Sequence, residues 1–323
     1  MWPLVGNQAA LNFLDKSYAH DKIAQTYIFS GADSLGKSLV AQCLAGRLIL
    51  ADFKADVLHP ELDLEKLISS GDCHIVERLE GKKNISVDQI RDFINILGMG
   101  AFAGNRKVGI IKAAETLSLE AANSLLKLLE EPKSGVVLIL LTSSLDNILP
   151  TILSRSQVLN FFPVETKLIR DFLQNNLGAT LALANDLAAL SGGRPGRAIE
   201  FFRDKEFYEA YLRQAQVFIN FLQSDLAERL KDVASLFDGE EAVTKAKQII
   251  DIWELVARDL VLLSLNNNDL VTLHNFLPEL KNLVLKLELN RINSFFPVFK
   301  KAKTYLAANV TPKNVLEYIA INI

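Results

Sequence analysis

Residues 25–48 read QTYIFSGADSLGKSLVAQCLAGRL, and the fold follows from this stretch. An apolar run, Tyr27-Ile28-Phe29, leads into Gly31-Ala32-Asp33-Ser34-Leu35-Gly36-Lys37-Ser38, a full G-x-x-x-x-G-K-[ST] match. Leu39, Cys43 and Leu44 then recur at helical spacing, so the motif has the strand–loop–helix setting it needs. The glycines let successive backbone N–H groups point into one concavity at a helix N-terminus, where an anion is held. Lys37 is placed to reach the β- and γ-phosphates, and Ser38 to offer a hydroxyl to Mg²⁺. The ligand this implies is ATP or ADP with Mg²⁺. The next apolar strand, Val108-Gly109-Ile110-Ile111, should end in one carboxylate for the metal and a second to orient water. It ends in Lys112-Ala113-Ala114. An ATPase fold is expected, without the hydrolytic half of the site.

At 323 residues the chain exceeds one ordinary core, and two or three domains are expected. Half of the residues are hydrophobic and 23% charged, an ordinary globular composition. A formal net charge of −3 speaks against a general nucleic-acid coat, though not against a local basic track. Charges interrupt every apolar stretch before membrane-spanning length, so no membrane span is read. Met1-Trp2-Pro3-Leu4-Val5-Gly6 lacks a basic region followed by an apolar core, so no signal peptide is expected. With only Cys43 and Cys73 there is no disulfide framework, and a reducing cytoplasm is the simplest setting.

Three segments follow. Residues 1–163 alternate short apolar strands with amphipathic helices, the pattern of a parallel sheet covered on both faces. The expected strands are Thr26–Ser30, His74–Glu77, Val108–Ile111, Val136–Thr142 and Gln157–Phe161. The expected helices are Ser38–Ala51, Val87–Leu97, Glu120–Glu131 ended by Pro132, and Ile148–Ser154. Residues 164–204 read as short helices broken by Gly178 and by Gly192-Gly193-Arg194-Pro195-Gly196. Residues 205–323 carry no strand pattern. Ile249, Ile250, Trp253, Val256, Leu260 and Leu263 share one face of a long helix, with further helices expected at 269–288, 290–308 and 312–321.

The order of several longer stretches is more specific than any of these patterns. LVGNQAALNFL (4–14) and the phosphate loop are followed by NISVDQIR (84–91), AANSLLKLLEEP (121–132) and ILPTILSRSQ (148–157). This series resembles the bacterial clamp-loader subunits of the AAA+ superfamily, convincingly over residues 1 to about 200 and by general character beyond. The resemblance implies a RecA-like α/β domain (1–163), a small helical lid (164–204) and a helical collar domain (205–323). It implies membership of a hetero-pentameric ring with delta and tau/gamma subunits, which opens the sliding clamp and loads it at primer–template DNA.

Position by position, the resemblance makes Gly31, Gly36, Lys37 and Ser38 the nucleotide loop. Thr142, with Ser143 beside it, falls at the first sensor and Arg197 at the second. Arg155, in Ser154-Arg155-Ser156, matches the arginine finger that such subunits present to a neighbour's ATP. Relatives usually write Ser-Arg-Cys there, a change that leaves the guanidinium untouched. ATPase members carry Asp-Glu where this chain has Lys112-Ala113, so an ammonium is expected near where Mg²⁺ would be held. Glu115 is the nearest acid and reads as a carboxylate at a helix start. The four-cysteine zinc module of many relatives is missing. Cys43, His59, Cys73 and His74 do not make a closed four-ligand set, so no zinc is expected.

Charge and aromatic runs read blandly. Lys82-Lys83 and the run 299–303 (FKKAK) are solvated faces, and DNA is gripped through its backbone by the whole ring. Phe161, Phe162, Phe201, Phe202, Phe295 and Phe296 read as core and domain-packing residues, not as a base-stacking platform. The expected function is a clamp-loader subunit that has lost hydrolysis and supplies Arg155 to its neighbour. Two alternatives stay open: a self-sufficient motor subunit of the tau/gamma type, and an AAA+ scaffold outside replication.

Overall fold

The three central strands of the sheet are buried on both faces, so they read in sequence as continuous apolar runs and not as alternating ones. In the computed structural model, which describes all residues except 1, 3, 51, 52, 54–59, 100–105, 132 and 236–241, they are β1 (Thr26–Ser30), β3 (Lys107–Ile111) and β4 (Val136–Thr142). β2 (Cys73–Val76) and β5 (Gln157–Asn160) are the edges. All pairings are parallel, in the order β2-β3-β4-β1-β5. β4 therefore lies between the phosphate-loop strand β1 and β3, and its last residue, Thr142, is in register with Ser30.

Side chains alternate across the sheet and feed two cores. Tyr27, Phe29, Val108, Ile110, Val137, Ile139 and Leu141 pack on one face with α1 (Gln8–Ala19) and α2 (Lys37–Ile49). Ile28, Ile111, Val136, Leu138 and Leu140 pack on the other. There they meet Ile90 and Phe93 of α4 (Val87–Leu97) and Leu125 of α5 (Leu119–Glu130). Between α2 and β2 lies α3 (Pro60–Ser69). Neither α1 nor α3 was among the helices expected from the sequence. The NISVDQIR stretch works locally as a capping box: Gln89 N–H donates to Ser86 Oγ (3.3 Å) and Ser86 N–H to Gln89 Oε1 (3.1 Å). Gln89 Nε2 also donates to Glu77 O (3.1 Å), tying α4 to the end of β2. Pro132, expected to end α5, lies outside the described residues.

Beyond α6 (Pro150–Leu153) and β5 the chain is helical: α7 (Thr166–Leu177), α8 (Leu181–Leu190), α9 (Pro195–Arg203), α10 (Lys205–Phe221), α11 (Leu226–Ser235) and α12 (Ala242–Ser264). They are followed by α13 (Leu277–Lys286), α14 (Leu289–Ala307) and α15 (Pro312–Asn322). Two compact units result. One comprises residues 1–172 and 193–197, the other 173–192 and 198–323. In the second unit the expected face of α12 is buried throughout. Trp253 stacks on Phe218 with centroids 4.9 Å apart, and Phe295 and Phe299 meet Phe218 edge-on. The helix expected over 269–288 is shorter. Two 3-10 turns, Asn268–Leu270 and His274–Phe276, precede α13, because Pro278 in its first turn has no N–H for a longer helix. Phe162, expected in a core, is 65% exposed, while its backbone exchanges hydrogen bonds with the Asn7 side chain (2.8 and 3.1 Å).

Candidate nucleotide-binding site

The loop between β1 and α2 is held from both neighbouring strands. Gly31 N–H donates to Thr142 O at 3.2 Å. A Cβ on Gly31 would meet Phe161 O at 2.3 Å, so only glycine lets the loop leave the sheet here. Gly36 precedes α2 at φ 91°, and no side chain caps the helix. The N–H groups of its first turn thus stay available for an anion, with the helix dipole behind them.

Lys37 is 8% exposed, and its ammonium donates to Gly31 O (2.5 Å) and Ala32 O (2.7 Å), with Asp33 at 3.9 Å. Burial lowers its pKa, opposed by the charges of Asp33 and Glu115. Ser38, next on α2, accepts from Gln42 Nε2 at 3.3 Å. The start of α9 closes the loop from outside. Gly196 N–H donates to Ser34 O (2.8 Å), and a Cβ on Gly196 would lie 2.9 Å from that oxygen. This brings the half-buried Arg197, one residue on, to the neighbourhood of the loop. Donors, cradle and a buried cation together fit the phosphates of a nucleotide.

At the strand ends the residues differ from expectation in detail. Lys112 does stand at the end of β3, but its ammonium pairs with Glu77 Oε2 at 2.9 Å, beyond β2 and on the side of β3 away from β4 and β1. Its charge is turned from the loop. Ala113 takes a left-handed turn (φ 51°) into a short 3-10 helix, Ala114–Thr116, which carries Glu115 back towards β4. Glu115 Oε1 accepts from Ser143 Oγ (2.5 Å) and Ser143 N–H (3.1 Å). Burial raises the Glu115 pKa, but the Ser143 hydroxyl, backbone donors and Thr142 outweigh it, and the carboxyl titrates below its ordinary value. Oε2 is buried and makes no hydrogen bond of its own. Thr142, expected as the first sensor from the resemblance, is buried, with its hydroxyl donating to Ser144 O at 2.8 Å. In the sequence Glu115 reads as a helix-start acid. The signal missed was tertiary: the adjacency of β3 and β4.

Arg155 lies on the turn after α6. Its Nη2 is 3.2 Å from Glu130 Oε1, and Nη1 donates to Thr151 O (3.2 Å) and Ser154 Oγ (3.3 Å). Among the described residues no three His, Cys, Asp or Glu side chains gather to hold a metal. Cys73 is buried and its thiol is pushed up to about 12; His74 turns its ring to Gly71 O at 2.9 Å. His59 lies outside the described residues. No described helix is long and apolar enough to cross a membrane.

Comparison with known proteins bears on residues 6–165, which match the family model described as "DNA polymerase III, delta subunit". A protein named DNA polymerase III subunit delta' from Bacillus subtilis is 23% identical over 320 residues, 96% of this chain and 94% of its own. A protein of the same name from Pseudomonas aeruginosa is 36% identical over 135 residues, 41% of each chain. A solved structure of a DNA polymerase III gamma subunit-related protein from Thermotoga maritima covers 95% of this chain and 97% of its own, at 18% identity and a TM-score of 0.43.

Proposed function

This chain belongs to the delta-prime branch of the clamp-loader family of DNA polymerase III, which works in DNA replication, and from that premise we propose that it donates an arginine finger to its ring while leaving ATP hydrolysis to its neighbours. Arg155 is the donor. A planar, permanently charged guanidinium stabilises negative charge on a transferring γ-phosphate, and one supplied in trans is worth about 10³–10⁵ in rate.

The observation that carries this reading is the setting of Arg155. Its side chain is 39% exposed on a turn and is tethered by one surface ion pair and two neutral acceptors. An exposed ion pair is worth about 1 kcal/mol or less, so a neighbour's triphosphate outcompetes it. The chain's own site lacks the matching acid at the end of β3, where Lys112 is engaged with Glu77. Gly31, Gly36, Lys37 and Ser38 hold the phosphates of ATP or ADP, Thr142 and Arg197 stand as the two sensors, and Mg²⁺ is reached from Ser38. A bound nucleotide there would supply charge for these groups to gather round, without turnover.

The partners in this reading are the delta and tau/gamma subunits, with the sliding clamp and primer–template DNA met through the assembled ring in the cytoplasm. Residues 1–163, 164–204 and 205–323 act as nucleotide domain, lid and collar. The all-helical run α10–α15, with its continuous apolar faces, supports the collar assignment. A self-sufficient tau/gamma-type motor would need a strand-end carboxylate that position 112 does not supply. A scaffold outside replication would not enter the ring. The test is reconstitution with delta and tau/gamma subunits: co-elution, with DNA- and clamp-stimulated hydrolysis above that of a ring lacking this chain, is expected. Separate elution contradicts the proposal.

A further inference from the structure

Four contacts run in series across the carboxyl end of the sheet. Glu115 Oε1 is fixed by Ser143 (2.5 and 3.1 Å), and Thr142, the preceding residue, takes the Gly31 N–H at 3.2 Å. Gly31 O in turn accepts from the Lys37 ammonium at 2.5 Å. Glu115 and the loop are therefore joined through two adjacent residues at the end of β4, Ser143 and Thr142. The carboxylate thus stands beside the phosphate loop although it leaves the chain beyond the end of β3.

Two features separate Glu115 from an ordinary helix-start acid. Its Oε1 is held from two donors, which orients the group, whereas its Oε2 is buried and makes no hydrogen bond of ordinary length and angle. A buried, unsatisfied oxygen on an ionised group costs free energy, and such groups in folded proteins mark an ion, a water or a chemical role. Mg²⁺ is commonly bound by one or two carboxylates together with substrate phosphates, keeping several waters. One oriented carboxylate beside a phosphate cradle meets that requirement.

We propose that Glu115 replaces the missing strand-end acid as the carboxylate that holds the divalent cation of a nucleotide bound at Gly31–Ser38, directly or through a cation-bound water. The proposal rests on the reading of Gly31–Ser38 as a nucleotide site, and it deepens that reading. The substrate class is a nucleoside di- or triphosphate with Mg²⁺. Lys112 takes no part, because its ammonium is neutralised at Glu77.

The test is titration of the full chain with ADP and with ATP, in Mg²⁺ and in EDTA, for wild type, Glu115→Gln and Lys37→Ala. Glutamine keeps the shape and an acceptor for Ser143 while removing the charge. In wild type, Mg²⁺ should tighten binding by about tenfold, within the usual range of coupling between two ligands. In Glu115→Gln that factor should fall to about twofold or less, and binding in EDTA should be equal to or tighter than wild type, because a negative charge beside the phosphates has gone. A role confined to structure would weaken both conditions alike, and that outcome overturns the proposal. An unchanged Mg²⁺ factor in Glu115→Gln overturns it too, while leaving the nucleotide site standing. Binding indifferent to Lys37→Ala, or absent in wild type, overturns the proposal and the nucleotide reading together, but not the role of Arg155, which is read in the assembled ring.

Discussion

Arg155 Nη2 lies 3.2 Å from Glu130 Oε1, with the two side chains 39% and 54% exposed, so the guanidinium is parked on the last residue of α5 in reach of solvent. Both residues come from stretches that carry the family resemblance, AANSLLKLLEEP and ILPTILSRSQ. The pair links them in space, across 25 residues of chain that include β4.

A pair so exposed should contribute little to the fold. Glu130→Gln and Arg155→Ala should each change unfolding free energy by no more than about 1 kcal/mol. Urea denaturation of the isolated chain checks this. A loss of several kcal/mol from either would make the pair a structural brace and would remove the argument that Arg155 is free to leave it.

The isolated chain should hydrolyse no ATP above background, since no second carboxylate orients water at the end of β3. Turnover that needs Mg²⁺ and disappears with Lys37→Ala contradicts this. If Glu115→Gln abolished the same turnover, Glu115 would be the water-orienting group and the chain a motor subunit after all.

Much of the first unit was legible because its signals are local. The phosphate loop announces β1 and α2 through residue types at fixed spacing, β4 appears residue for residue as the apolar run Val136–Thr142, and α4 covers the expected Val87–Leu97. The rest depends on partners far along the chain. Lys107, one residue before the expected strand, is buried with its ammonium on Ile96 O at 3.0 Å, at the C-terminal end of α4, where the helix dipole favours a cation. Glu115 meets Ser143, and Lys112 meets Glu77, only because β2, β3 and β4 lie side by side. For Phe162, pairing with the buried Phe161 suggested packing, but neighbours along an extended chain face opposite ways. At α1 the N-cap residue type is present, but the Asn7 side chain bonds the backbone of Phe162, 155 residues away in sequence, and not the helix.

In the second unit Asp259 is fully buried. Its Oδ2 accepts from Thr272 N–H (2.9 Å), Thr272 Oγ1 (2.9 Å) and Leu273 N–H (2.8 Å), and Arg258 stands at 3.2 Å from Oδ1. Burial pushes its carboxyl up from the ordinary range, against the pull of these donors. Asp259→Ala leaves the donors buried and unmet, and should cost about 2–4 kcal/mol. A urea midpoint indistinguishable from wild type contradicts this.

Cys73, with its thiol pushed up to about 12, and the buried Cys43 should both resist an aromatic disulfide reagent at neutral pH until the chain unfolds. Counting thiols released before and after adding guanidinium settles it. A thiol that reacts at once in the folded chain would mean that one of the two sites opens locally.

Under the proposed function this chain acts on chemistry next door through Arg155. The direct measurement is steady-state ATP hydrolysis, with clamp and primed DNA, by rings carrying Arg155→Ala or Arg155→Lys in this subunit alone, after gel filtration has shown normal assembly. Both variants should enter the ring. Arg155→Ala should abolish stimulated hydrolysis at the one ATP site this subunit faces, and Arg155→Lys should restore it only in part, because an ammonium keeps the charge but not the planar, two-pronged geometry. Wild-type rates from a correctly assembled Arg155→Ala ring would contradict the account and leave the subunit a purely structural member.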